Sequence, residues 1–288
     1  MVVGQLGGDG AEEIQRQLGI LGIRNPTITH DTDDLKKAIT TDHPDLLICN
    51  MTVSRDEALQ AVRDVRHQET GSNPFVVTLS MSPPLQQVDI VRTIDSGTDD
   101  LFVAPFSRDH FVMRVNDLAV NRRKFVAISS YIGPTRRTSS RPGRTSAEEF
   151  DVPNPVRATG TGVSRIQLRK EIAVVARQLN IRKLNADIVL IRDLVGEIMP
   201  DYEHSNIGED FRRRIDLLQG AVETIHRRAT RMRFEHLITL CELSGNIVGE
   251  IRANPKPPNL RHLRAMPEMV TGFEIALLKM TEGGGRLQ

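Results

Sequence analysis

A chain of 288 residues is long enough for two domains that each bury a core. Its 38 Lys and Arg balance 37 Asp and Glu, so no global charge draws it to nucleic acid or anionic membrane; such a contact has to come from a local patch. Aromatic residues are 4% of the chain and Trp is absent, which leaves few platforms for stacking single-stranded bases.

Cys49 and Cys241 stand far apart in apolar surroundings, without CxxC spacing. This argues against a zinc site or a disulfide and fits a reducing cytoplasm. Met1 leads straight into Val2-Val3 with no charged region ahead of an apolar stretch, and no run approaches the roughly 20 residues of a membrane helix. The expectation is a cytoplasmic protein with no membrane insertion, no metal and no cofactor.

From the start to about Asn121, short apolar runs alternate with amphipathic segments. The runs are Val2–Leu6, Pro26–Thr29, Leu46–Cys49, Phe75–Leu79 and Leu101–Val103. Helical spacing fills Ala11–Leu21, Asp33–Thr41, Arg55–Arg66, Leu85–Ser96 and Ser107–Asn121. Five β–α units in a row predict a five-stranded parallel sheet, doubly wound with helices on both faces, because parallel strands need crossover connections. Runs such as Leu46-Leu47-Ile48-Cys49 suit strands buried on both sides.

Residues 122–162 change character. Arg122, Arg123, Lys124, Arg136, Arg137, Arg141 and Arg144 carry charge with no acidic residue before Glu148, and Ser, Thr, Gly and Pro fill much of the rest. A basic linker is expected, or an extension lying against the preceding domain.

Residues 163–283 read as an α-helical domain with heptad spacing. Ile172, Val175 and Leu179 step by three and four; Leu184, Ile188, Ile191, Val195 and Ile198 resume after a five-residue step, and Pro200 is expected to end the helix. A second helix carries Phe211, Ile215, Leu218, Val222, Ile225, Ala229, Met232 and His236. A third carries Leu263, Met266, Val270, Phe273, Leu277 and Met280, beyond Asn254-Pro255 and Pro257-Pro258. Narrow seams predict a bundle or coiled coil, with Phe211, Ile215, Leu218, Val222 and Ile225 as the candidate seam of a homodimer.

Two stretches are specific. His43-Pro44-Asp45-Leu46-Leu47-Ile48-Cys49-Asn50 and Ser96-Gly97-Thr98-Asp99-Asp100-Leu101-Phe102-Val103-Ala104-Pro105-Phe106 resemble the third strand and the fifth-strand signature of response-regulator receiver domains. The resemblance covers Val2 to Asn121. It implies a doubly wound sheet with functional residues at the carboxyl ends of the strands. Tyr131-Ile132-Gly133-Pro134-Thr135-Arg136-Arg137 is similar to a stretch that follows receivers in some alphaproteobacterial-type regulators.

Matched position by position, the resemblance implies a degenerate phosphoacceptor pocket. The phosphoacceptor Asp falls on Asn50, and a neutral amide cannot form an acyl phosphate. The acidic pair that holds Mg²⁺ falls near Leu6-Gly7-Gly8, with Asp9 as the remaining carboxylate. The phosphate-pairing Lys falls on Ala104, ahead of Pro105. The hydroxyl residue matches Thr78 or Ser80, and the aromatic switch position matches Leu101. No catalysis is expected. The resemblance places a protein-docking face on the last helix and the strand before it, with Phe102 or Phe106 as apolar anchor and Arg108, Asp109 and Arg114 as polar rim.

Other features are weaker. Gly7-Gly8-Asp9-Gly10 reads as a tight turn, since it lacks GxGxxG spacing or a Walker lysine. His236 is a candidate phosphotransfer histidine, but Leu237-Ile238-Thr239 lacks the cation and small residue that such sites carry. The expected function is protein–protein interaction in two-component signalling, with the helical domain setting the oligomeric state. The alternatives are a transcriptional regulator that touches DNA and a phosphorelay protein that uses His236.

Overall fold

The computed structural model describes residues 2–5, 11–20, 22–23, 26–51, 54–84, 86–103, 107–128, 131–136 and 148–282. The chain divides into two compact units, Met1–Arg177 and Gln178–Gln288.

The first unit is α/β. Strands β1 (Val2–Gln5), β2 (Thr27–Thr29), β3 (Leu46–Asn50), β4 (Val77–Ser82) and β5 (Asp100–Val103) pair in parallel in the order β2-β1-β3-β4-β5. Between them lie α1 (Ala11–Ile20), α2 (Thr32–Asp42), α3 (Arg55–Arg66) and α4 (Gln87–Asp95), with α5 (Arg108–Val120) after β5. Alternation along β3 sorts the core into two layers. Leu47 and Cys49 pack with Leu35 and Ile39 of α2 and Leu59 and Val62 of α3. Leu46 and Ile48 pack on the other side with Leu18 of α1 and Phe111 and Val115 of α5. Helix starts follow side-chain capping: Asp31 accepts from the Asp34 N–H and Ser107 from the His110 N–H, each satisfying a donor the first turn leaves open.

β4 begins two residues later than its apolar run suggests. The carbonyls of Pro74 and Val76 accept from the Arg66 guanidinium, and that of Phe75 from Arg122, so this stretch serves side chains before the strand begins.

The described part of 122–162 is not a solvated linker. Phe125 is buried in the hairpin of β6 (Phe125–Ala127) and β7 (Ile132–Pro134), which pair antiparallel. Asn154 caps α6 (Pro155–Gly160) and donates its amide to the Leu118 carbonyl at the end of α5. Arg137, Arg141 and Arg144 lie outside the described residues.

Helix α7 (Arg165–Glu203) carries residues of both units, and the broken heptad step after Leu179 falls beside their boundary. Pro200 sits one turn before the end of α7, not at it. The second unit continues with α8 (Glu209–Met232), α9 (Glu235–Ala253) and α10 (Leu260–Glu282). Where one helix was expected across 211–236, the chain turns. Arg233 adopts a left-handed conformation at φ 56°, and the Phe234 N–H reaches back to the Ala229 carbonyl, a common way to close a helix. The four-residue step from Met232 to His236 matched a heptad while spanning this turn.

Phe211, Ile215, Leu218, Val222 and Ile225 are each at most 2% exposed. They share one core with Ile191, Val248 and Phe273, from three other helices of the same chain. The seam expected between subunits is therefore closed within one chain. Four helices contribute to this core where three were expected.

Candidate functional site

Asn50 ends β3, half-buried, with its Cα paired to Met81 of β4. Chain pairing continues one residue past the strand, where the Met51 N–H donates to the Met81 carbonyl at 2.7 Å. Cys49 beside it offers no substitute nucleophile: burial pushes its thiol up to about 12, so it stays protonated at neutral pH. Asp9, Ala104, Pro105 and Phe106 lie outside the described residues, as does Leu6-Gly7-Gly8.

The two candidate hydroxyls sit differently. Thr78 is the second residue of β4, at the end away from Asn50, and its Oγ1 accepts from Arg66 at 2.8 Å and from the Asp99 N–H at 3.0 Å. Ser80 is buried in mid-strand and donates to Thr98 Oγ1 at 3.1 Å. At the carboxyl end itself stands Ser82, which sequence matching passed over.

The densest polar cluster among the described residues lies at the amino ends of the strands. Asp99 accepts from Arg66 at 2.7 Å, from Arg122 through both carboxylate oxygens, and from the Thr78 N–H at 2.8 Å. Burial works against its charge, but Arg122 and Arg66 more than offset this and hold the carboxyl below its ordinary value. Burial pulls the fully buried Arg66 guanidinium down to about 10, opposed by Asp99. Both cations also stand over the Phe125 ring, Arg66 at 5.1 Å and Arg122 at 5.0 Å from its centroid. Arg136 donates to the Thr98 carbonyl. Asp45, at the amino end of β3, accepts from Thr159 at 3.0 Å and from both terminal nitrogens of Arg165. The acidic residues of both receiver-like stretches thus hold the segment that follows the sheet. The basic residues of that segment were the available signal, since a buried carboxylate needs a cation.

The residues of the expected docking face differ in exposure. Phe102 is 2% exposed and packs against Phe111 with ring centroids 5.5 Å apart, so it belongs to the core and is no anchor. Its alternate position on the strand points it inward, as it does Met81 on β4. Arg108 and Asp109 are exposed at the start of α5. Arg114 is committed to Asp100, donating through Nε at 2.6 Å, so it is not a free rim charge. The apolar surface nearby comes from residues not singled out from sequence: Val88 at 60% and Val91 at 49% on α4, with Val103 and Met113 also exposed. Two ion pairs, Arg55–Asp89 and Arg92–Asp56, join α4 to α3.

His236 is exposed, but it is the second residue of α9 and not part of the α8 seam. A different histidine is built into the bundle. His262 is buried, with Nδ1 2.9 Å from the Tyr202 hydroxyl and Nε2 2.9 Å from Glu250. Among the described residues no group of His, Cys, Asp or Glu could hold a metal ion, and no helix is long and apolar enough to cross a membrane.

No family model matches the chain. A search of curated proteins finds it similar to the response regulator protein PmrA of Pseudomonas aeruginosa, 30% identical over 100 residues. The match covers 34% of this chain and 43% of that relative, so the chain spans less than half the length of the protein it resembles.

Proposed function

We propose that the first unit is a receiver-like module without phosphoryl chemistry, which docks a protein partner in a two-component signalling pathway, and that the helical unit sets the oligomeric state. The observation that carries the reading is Asn50 at the carboxyl end of β3, where phosphoryl transfer to this fold class needs a carboxylate. The strand order and the 100-residue similarity to a response regulator support the receiver-like assignment. A module that cannot be switched by phosphate acts through a surface it always presents. The exposed apolar residues Val88 and Val91 on α4, Val103 on β5 and Met113 on α5 are the candidates for the apolar part of that surface, with Arg108 and Asp109 at the start of α5 as its polar part. Interface energy concentrates in a few residues, so removing the right pair is enough to abolish docking.

The test is quantitative capture of partners from the source cell by the full chain and by a Val88→Glu/Val91→Glu variant with unchanged circular dichroism and melting temperature. Loss of specific partners in the folded variant supports the reading. Undiminished capture there moves docking off α4.

A further inference from the structure

With α8 closed inside its own chain, self-association needs another face, and α9 and α10 present one. Helix α9 carries only Glu235, Glu242, Glu250 and Arg252 as charged residues among its 19, whereas ten of the 24 residues of α8 are charged. Charge depletion marks interface cores, and the charges that remain at this face are Glu250 on α9 and Arg261, Arg264 and Glu268 on α10. Leu243 is 59% exposed on α9, and a Cβ added at Gly249 would meet nothing within 4 Å. Across from them Leu260 at the start of α10 is 72% exposed. A groove of about 790 Å³ runs between the helices, lined by Leu243, Asn246, Ile247, Leu260, Arg264 and Glu268 among others.

Arg264 and Glu268 are exposed, four residues apart, and form no ion pair with each other or with any other described residue. The cation lies N-terminal to the anion, the weaker order for a pair within one helix. Two opposite charges at such spacing are self-complementary: about a twofold axis between them, each meets its opposite on a second copy.

We propose that this groove is the self-association surface of the helical unit. A second copy lays its α9–α10 face into it, with Leu243 and Leu260 as apolar contacts and Arg264 of each copy against Glu268 of the other. The proposal rests on the reading that the helical unit sets the oligomeric state.

Sedimentation of the full chain over a micromolar concentration series tests both. The wild type is expected to dimerise. Leu243→Glu is expected to weaken dimerisation by at least about tenfold, and Arg264→Glu to weaken it through like-charge repulsion. Arg264→Glu/Glu268→Arg is expected to regain affinity, because the swap restores both pairs. Leu217→Glu, on the exposed side of α8, controls for added charge and should change nothing. Circular dichroism and melting temperature show that each variant is folded. A monomeric wild type overturns self-association and this surface together. A wild-type dimer that persists undiminished in folded Leu243→Glu and Arg264→Glu variants leaves self-association standing and overturns the surface. Failure of the charge swap to regain affinity overturns the twofold pairing.

Discussion

Arg122 grips both oxygens of the Asp99 carboxylate, with Nε 3.0 Å from one and Nη2 3.1 Å from the other, across 23 positions of sequence. Arg122 also donates to the Pro153 carbonyl at 2.8 Å. One side chain thus ties the end of the sheet to the hairpin segment and to the approach of α6.

Replacing Arg122 by Met should destabilise the first unit by about 3 kcal/mol, the lower end of what removing one partner of a buried ion pair costs, because Arg66 still faces Asp99. Urea unfolding of the full chain, followed by a probe placed in the first unit, measures it. A change within a few tenths of a kcal/mol would show that Arg122 contributes little.

Acid should act on the same cluster. The Asp99 carboxyl lies below its ordinary value in the folded chain, so the unfolded state takes up a proton first as pH falls. The stability from Asp99 is complete above the unfolded value of about 4 and declines as pH drops through the folded value. Asp99→Asn should be less stable at neutral pH and should lose less further stability between neutrality and strong acid. Unfolding free energies of both proteins across that range provide the check; parallel curves would contradict the assignment.

Gly97 allows a third test. Its φ of 90° is one that L side chains rarely adopt, and an added Cβ would lie 2.3 Å from the Ile132 carbonyl oxygen of β7. Gly97→Ala should cost at least about 2 kcal/mol from left-handed backbone strain and lost hairpin packing. Faster proteolysis within the hairpin segment than in wild type is the expected readout.

Phosphoryl chemistry gives the fourth. Incubation with a small-molecule phosphodonor and Mg²⁺ should leave no hydroxylamine-sensitive phosphate on the chain, because the Asn50 amide cannot form an acyl phosphate. Mass spectrometry reads this directly. Stoichiometric labelling of the first unit would sink the reading of that unit as phosphorylation-incompetent.

Much of the α/β unit was legible because apolar periodicity reports burial, and burial is decided locally: α3 begins at Arg55 and ends at Arg66, as its spacing predicts. The role of 122–162 was less legible. Arg and Pro look alike in a solvated linker and in a segment whose cations meet buried carboxylates, and only the positions of Asp99 and Asp45 in space separate the two. Phe102 was misread for a related reason. A signature located it beside a functional loop, but strand alternation turned it inward. On α8 the heptad identified a buried stripe correctly but could not say which chain covers it. His262 escaped notice because no spacing in the sequence brings it to Tyr202, 60 positions away.

The pairing of Asp99 with cations from beyond the sheet also bears on inheritance. A gene fusion or domain exchange joined at residue 121 would carry Asp99 and Arg66 into a new protein without Arg122 or the Phe125 ring that both guanidinium groups face. Asp45 would lose Thr159 and Arg165 at the same cut. Such a chimera starts with buried carboxylates short of partners, whatever it gains downstream. The first compact unit ends at Arg177, inside α7, so a cut at residue 121 falls well inside that unit.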